Sequence, residues 1–194
     1  MGAVFFDAVR TAGLHDYSQA QVEAWAAAMP DLAMFDACAK DGRLILVAVN
    51  EVDEPIAYGD LEANGHIDHL YCRPEVIGTG VASALYDRLE QQARERGMTR
   101  LFVEASEAAR RLFLRKGFAE VKRREFLLRG AAIHNYLMEK MLFHGRAPAS
   151  HETREFKLIH YPNELHPAPY RDISHTPLSS DCPGHAQGRR YPSR

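Results

Sequence analysis

Cysteine is scarce: Cys38, Cys72 and Cys182 are the three in 194 residues, an odd number with no paired spacing. That argues against a disulfide framework and fits a reducing, cytoplasmic setting. No apolar run approaches the roughly 20 residues of a membrane helix. No charged-then-apolar leader is read at the start, and Phe6 stands where a myristoylation motif needs Ser or Thr. Charge of one sign is lacking too: Lys+Arg total 24 against 26 Asp+Glu, a formal net charge of −2. Near-neutrality leaves no electrostatic footprint for nucleic acid or an anionic membrane. The length suits one ordinary domain with chain to spare.

What is present is organised in two parts. Apolar runs and charges alternate in blocks up to Phe143. Beyond it lie seven of the ten prolines and six of the ten histidines, with almost no periodicity. Residues 1–143 therefore read as the domain, and 144–194 as a Pro/His-rich tail, disordered or extended. The tail histidines lack a short metal-ligand spacing, so no metal site is expected.

The domain reads as mixed α/β. Val4 to Arg10 is a short apolar helix. Ser18 with Gln21 three residues on is a capping box, predicting a helix to about Met29. Arg43–Asn50 and Ile56–Glu62 are strands, and Asn64-Gly65 is a two-residue hairpin signal leading into a third strand over His66–Cys72. Gly80 to Arg96 is a helix with Val81, Leu85, Leu89 and Ala93 on one stripe. A strand over Leu101–Glu104, a helix over Glu107–Lys116 and two strands over Phe118–Leu128 and Ile133–Met141 follow. This order gives one sheet with helices on its faces.

The most telling stretch is Ile77-Gly78-Thr79-Gly80-Val81-Ala82-Ser83, between a strand and a helix. The glycines permit a tight turn with bare N–H groups, and the helix behind adds unpaired amides and a partial positive charge. Together they make a seat for a phosphate or diphosphate. No Gly-Lys-Ser/Thr follows, so this is not a Walker loop. Ser83 occupies the third-glycine position of a dinucleotide fingerprint.

These residues carry a family resemblance. The GNAT acyltransferases, which move an acetyl group from acetyl-coenzyme A to an amine, show Gln/Arg-x-x-Gly-x-Gly/Ala at this turn. Gly80 and Ala82 fit, and Ile77 departs. A second family motif, Asn-x-x-Ala-x-x-Leu/Phe-Tyr-x-x-x-Gly-Phe, is matched by Ala109, Gly117 and Phe118. Ser106 replaces its Asn and Phe113 its Tyr. The phrases HIDHLYCRPE, FVEAS and NYLMEK resemble the YafP-type bacterial subgroup. The resemblance covers about residues 3–142 and implies the GNAT fold, a mixed, mostly antiparallel sheet flanked by helices. Family members usually begin with a strand before the first helix, whereas this sequence begins within that helix: either the start is misassigned or the first edge strand is missing, and its loss would expose a neighbouring strand edge.

The resemblance also implies the partners: a coenzyme A thioester, an amine acceptor and possible homodimerisation, with acetyl-CoA as co-substrate. Expected cofactor contacts are the main chain of Leu70, Tyr71 and Cys72 along the pantetheine arm. The turn and helix start (Ile77, Gly78, Thr79, Gly80, Val81, Ala82, Ser83) and Ser106 complete the set. Direct attack needs a neutral amine and a base. Asp68 and His66, two apart and so on one face of a regular strand, are first candidates. Glu104 is an alternative base, and Tyr136 or Tyr71 could reprotonate the thiolate that Phe113 cannot serve. Cys72 as a nucleophile is weighed against an inert buried thiol. Tyr17 and Trp25 could line the acceptor pocket. The alternative reading is a catalytically impaired acyl-CoA-binding or regulatory module, motivated by Ile77, Phe113, the missing strand and the tail.

Overall fold

The computed structural model describes residues 1–31, 33, 35, 40–142 and 157–160. The chain opens in helix α1 (Gly2–Arg10), passes a 3-10 turn at Ala12–His15, and enters α2 (Gln19–Trp25). The capping box forms as its sequence implies: Ser18 Oγ accepts from the Gln21 amide while Gln21 Oε1 accepts from the Ser18 amide. The helix ends at Trp25, four residues short of Met29.

Two sheets follow. The first contains β1 (Leu44–Val49), β2 (Pro55–Leu61), β3 (Leu70–Cys72) and β7 (Lys157–His160), in the order β3-β2-β1-β7. The second contains β4 (Arg100–Ala105), β5 (Ala119–Leu128) and β6 (Ala131–Met141), in the order β4-β6-β5. Every registered strand pair is antiparallel. Helices α3 (Val81–Glu95) and α4 (Glu107–Arg115) complete the described fold.

β1 is apolar without alternation because both of its faces are covered. Leu44, Leu46 and Ala48 join the core under α3, whereas Ile45, Val47 and Val49 join a second cluster under α1 and α2. The stripe Val81, Leu85, Leu89 and Ala93 is at most 1% exposed, as its four-residue spacing requires.

The turn at Asn64-Gly65 has a firm steric cause. Gly65 has φ of +88°, and a Cβ there would meet the Arg100 carbonyl oxygen at 2.2 Å. The strand expected from His66 is delayed to Leu70. Asp60 is the reason: its Oδ1 accepts the amides of Asp68 (3.0 Å) and His69 (2.8 Å), bending residues 66–69 out of a regular ladder.

The chain starts in a helix, as expected, but the edge of β1 is not bare. β7 pairs antiparallel with it from Leu46↔His160 to Val49↔Lys157. Four tail residues thus cover the edge that was expected to be exposed, with Leu158 packed on the core and Lys157 paired to Asp53 at 2.6 Å. The rest of 144–194 lies outside the described residues. Deleting residues 144–194 is expected to lower stability by about 1–2 kcal/mol, or roughly 2–8 °C in Tm, and to promote self-association through the bared edge. Thermal unfolding and light scattering of the truncated chain check this; unchanged Tm and a clean monomer would refute it.

Candidate functional site

Among the described residues, one isolated bridge joins the two sheets. His66 and Phe102 form an isolated parallel bridge, with Ile67 N donating to Phe102 O and Phe102 N to Gly65 O, both at 3.0 Å. Beyond this bridge β3 and β4 share no registered pairing. β3 pairs with β2 through Ala57↔Cys72, Tyr58↔Tyr71 and Gly59↔Leu70, so its other edge faces the gap. A cavity of about 340 Å³ borders β3: residues of α1, α2, β3, the turn before α3 and α4 line it, and no described residue of β4 does.

One end of the cavity is main chain. A 3-10 turn over Pro74–Val76 leads into extended Ile77, then Gly78 (φ +82°) and Gly80 (φ +97°). Gly80 is the N-cap of α3 and offers no side-chain cap, so the first-turn amides of α3 are left for an outside acceptor. A Cβ at Gly78 or Gly80 would meet nothing within 4 Å, so the space before the helix is open. Gly78, Gly80, Ala82, Ser83 and Ile77 line the cavity, with Ile77 54% exposed. Thr79 turns its hydroxyl back onto the Val76 carbonyl (2.7 Å) and Val81 is buried in the core, so both are confined to main-chain roles. Ser106 lines the cavity while capping α4, its Oγ accepting from the Ala109 amide. Among the described residues, Arg115 is the one cationic side chain on the lining.

The other end is apolar and aromatic. Val9, Val22, Tyr17 and Trp25 face Leu70 and Tyr71 across it. Tyr17 and Trp25 pack edge to face with centroids 5.5 Å apart. Tyr17 Oη donates to the His134 carbonyl (3.2 Å) and accepts from the Glu107 amide (3.1 Å). Burial pushes its pKa up to about 12. Burial also raises Tyr71 well above the ordinary phenol range. Asp16 is the one carboxylate on the lining among the described residues, and Arg111 grips both its oxygens at 2.9 and 2.7 Å. That hydrogen-bonded pairing holds Asp16 below the usual carboxylate range. Cys72 lines the cavity with its thiol pushed up to about 11 by burial, so it stays protonated at neutral pH.

Of the five side chains singled out as acid or base, Tyr71 lines this cavity, whereas His66, Asp68, Glu104 and Tyr136 are not among its described lining residues. His66 is fully buried between Glu62 (3.1 Å) and Glu104 (2.6 Å). Glu104 is also paired with Arg124 at 3.1 Å. Asp68 is held by Arg43 at 3.2 Å in a buried network with Asp60, Glu62 and His69. Tyr136 donates to Glu107, which also pairs with His134 at 3.0 Å, and Arg110 lies over the Tyr136 ring. The regular strand from which His66 and Asp68 were expected to share a face is not formed over residues 66–69, and the two side chains are linked instead through Glu62 and Arg43. Phe113 is buried against Tyr86 and Phe118, away from the cavity.

Sequence reasoning did place Tyr17, Trp25, the β3 edge and the glycine turn at the cavity. It missed Asp16, Arg115 and the Arg111 clamp. Asp16 sits in a turn, and its partner Arg111 is 95 residues away, a pairing that no local spacing reveals.

Comparison with known proteins supplies the remaining context. The family model described as acetyltransferase (GNAT) domain matches residues 13–140. A curated relative, the uncharacterized N-acetyltransferase YafP of Escherichia coli K12, is 31% identical over 136 residues, covering 70% of this chain and 84% of its own. The crystal structure of a GCN5-related N-acetyltransferase from Rhodopseudomonas palustris superposes with a TM-score of 0.66 at 35% identity, covering 73% of this chain and 87% of that one. An acetyltransferase structure from Salmonella typhimurium, yncA with its cofactor acetyl-CoA, has a TM-score of 0.55 at 22% identity over 76% of this chain and 89% of that one.

Proposed function

The chain belongs to the GNAT acetyltransferases, and from that premise we propose that it transfers an acetyl group from acetyl-CoA to a primary amine by direct attack. The observation that carries the reading is the cavity beside β3, which runs from the uncapped start of α3 to an apolar wall. The amides of Gly78 to Ser83 take the diphosphate, assisted by the helix dipole. The pantetheine arm lies along the free edge of β3 at Leu70, Tyr71 and Cys72. A main-chain amide there polarises the thioester carbonyl as charge develops on its oxygen.

The acceptor enters over Val9, Val22, Tyr17 and Trp25, and is an amine borne on an apolar, uncharged body. An apolar wall disfavours an ammonium ion, so the amine reaches the carbonyl in its neutral form. Asp16 is a weak base because Arg111 holds it ionised, so the proton leaves to water. The amine nitrogen then bonds to the carbonyl carbon and the carbon–sulfur bond breaks. The thiolate takes a proton from water, and the new amide nitrogen gives up its second proton. A thiolate leaves readily enough to do without Phe113 as an acid.

The test is thiol release from acetyl-CoA across an amine panel, with coenzyme A binding followed by calorimetry. Turnover with intersecting initial-velocity patterns is expected, and binding with no turnover on any amine would overturn the reading. Cys72→Ser is expected to keep turnover within about threefold, since a protonated buried thiol takes no covalent part. A hundredfold loss together with acetylated Cys72 in the mass spectrum would point instead to a covalent route.

A further inference from the structure

His66 was singled out by sequence as a base, and the structure gives it a different setting. Its ring is fully buried at the bridge that joins the two sheets, stacked on Phe102 with centroids 4.7 Å apart and planes at 22°. Nδ1 faces Glu62, which belongs to the β2 side, and Nε2 faces Glu104 on β4. Glu62 is tied onward to Arg43 (3.3 Å) and Asn64 (3.3 Å), and Glu104 to Arg124 on β5 (3.1 Å). Arg100 covers the Phe102 ring at 4.6 Å. The same residue pair, His66 and Phe102, makes the backbone bridge from which β3 and β4 part. One side chain therefore spans both sheets at their junction.

We infer that His66 is a positioning residue: clamped between Glu62 and Glu104, it fixes how far β3 and β4 stand apart and so where the thioester carbonyl lies. The inference rests on the acetyltransferase reading. β3 is three residues long and, among the described residues, pairs as a strand along one edge only, so its outer edge takes its distance from β4 through this junction. The diphosphate seat is built separately, by the turn at Gly78–Gly80 and the start of α3. Loosening the clamp thus leaves the cofactor bound but moves the carbonyl away from the amide that polarises it.

The electrostatics agree with this role. Burial alone would lower the His66 pKa, but hydrogen bonds to Glu104 and Glu62 and their negative charges outweigh it and raise it to about 9. The folded-state pKa lies above the free value of about 6.5, so the clamp's contribution is complete below that pH. It is lost as the pH rises through about 9.

The experiment compares native protein, His66→Gln and Glu104→Gln well below their melting temperatures. Coenzyme A affinity is read by calorimetry and turnover by thiol release. Expected are coenzyme A affinities within about threefold of native, and kcat lower by about tenfold or more with KM for acetyl-CoA little changed. Native kcat falls on the alkaline side near pH 9, and in Glu104→Gln that fall moves to lower pH because one carboxylate no longer supports the imidazolium. Glu104→Gln keeps the side-chain shape, so it carries the test if His66→Gln does not fold. Lower Tm with native kcat, KM and alkaline limb in the folded variants would overturn the inference and leave His66 a stability element. Failure of the native protein itself to bind coenzyme A or release thiol would instead overturn the acetyltransferase reading.

Discussion

Gly80→Glu is expected to abolish coenzyme A binding, seen by calorimetry as at least a hundredfold loss of affinity, about 2.7 kcal/mol. Three effects act together at this position. Gly80 has φ of +97°, where a side chain costs about 1–2 kcal/mol. The added carboxylate has open space before the helix, with no atom within 4 Å of a Cβ built there. It can therefore fold onto the first-turn amides of α3 that the diphosphate would otherwise receive, and it repels what remains of the ligand's charge. Gly80→Ala separates these contributions. It carries the backbone strain without the charge, so its affinity should fall by about tenfold or less. The Glu variant should stay folded, because a carboxylate at a helix start offsets part of the strain. Native affinity in Gly80→Glu would remove the diphosphate from this turn.

Arg43→Met is expected to destabilise the fold by about 3–5 kcal/mol, the typical consequence of stripping one partner from a buried ion pair. The Arg43 side chain is 2% exposed and contacts Asp41, Asp60, Glu62 and Asp68 at 2.6 to 3.3 Å. Burial pushes Asp60 up, yet His69 and Arg43 outweigh it and hold its carboxyl below the ordinary value. The contribution of Asp60 is thus present above a pH of about 4 and is lost as the pH falls through its folded value. In Arg43→Met the remaining carboxylates protonate more readily. The deficit against native protein should therefore be largest near neutral pH and shrink in acid. Urea titrations at pH 7 and pH 4.5 check both the size and the trend. A loss below about 1 kcal/mol at neutral pH would mean that His69 alone balances the cluster.

Much of the fold was legible because it rests on local chemistry. Asn64-Gly65 turns where it must, the α3 stripe is buried, and the two late strands pair as β5 and β6 within a few residues of their expected ends. The glycine turn before α3 announced the cofactor end for the same reason: amide exposure there follows from backbone conformation. What stayed hidden depends on partners distant in sequence. Nothing in the spacing of His66 and Asp68 shows that Asp60 captures the Asp68 and His69 amides, or that Glu62 and Arg43 tie His66 and Asp68 into one buried ion network. His66 and Glu104 were both noticed for their chemistry, but their 38-residue separation concealed that they meet each other rather than a substrate. The pairing of β7 with β1 was equally out of reach, because Lys157–His160 sits among prolines and histidines with no strand-like alternation around it.

That pairing also bears on how the chain is made. Val49 and Lys157 are neighbours in the sheet yet 108 positions apart in the chain. The ribosome has therefore delivered β1 long before it delivers the strand that closes its flank. Throughout that interval the nascent polypeptide carries an unfinished template, and a pause or early stop in translation leaves it free to recruit a neighbouring chain.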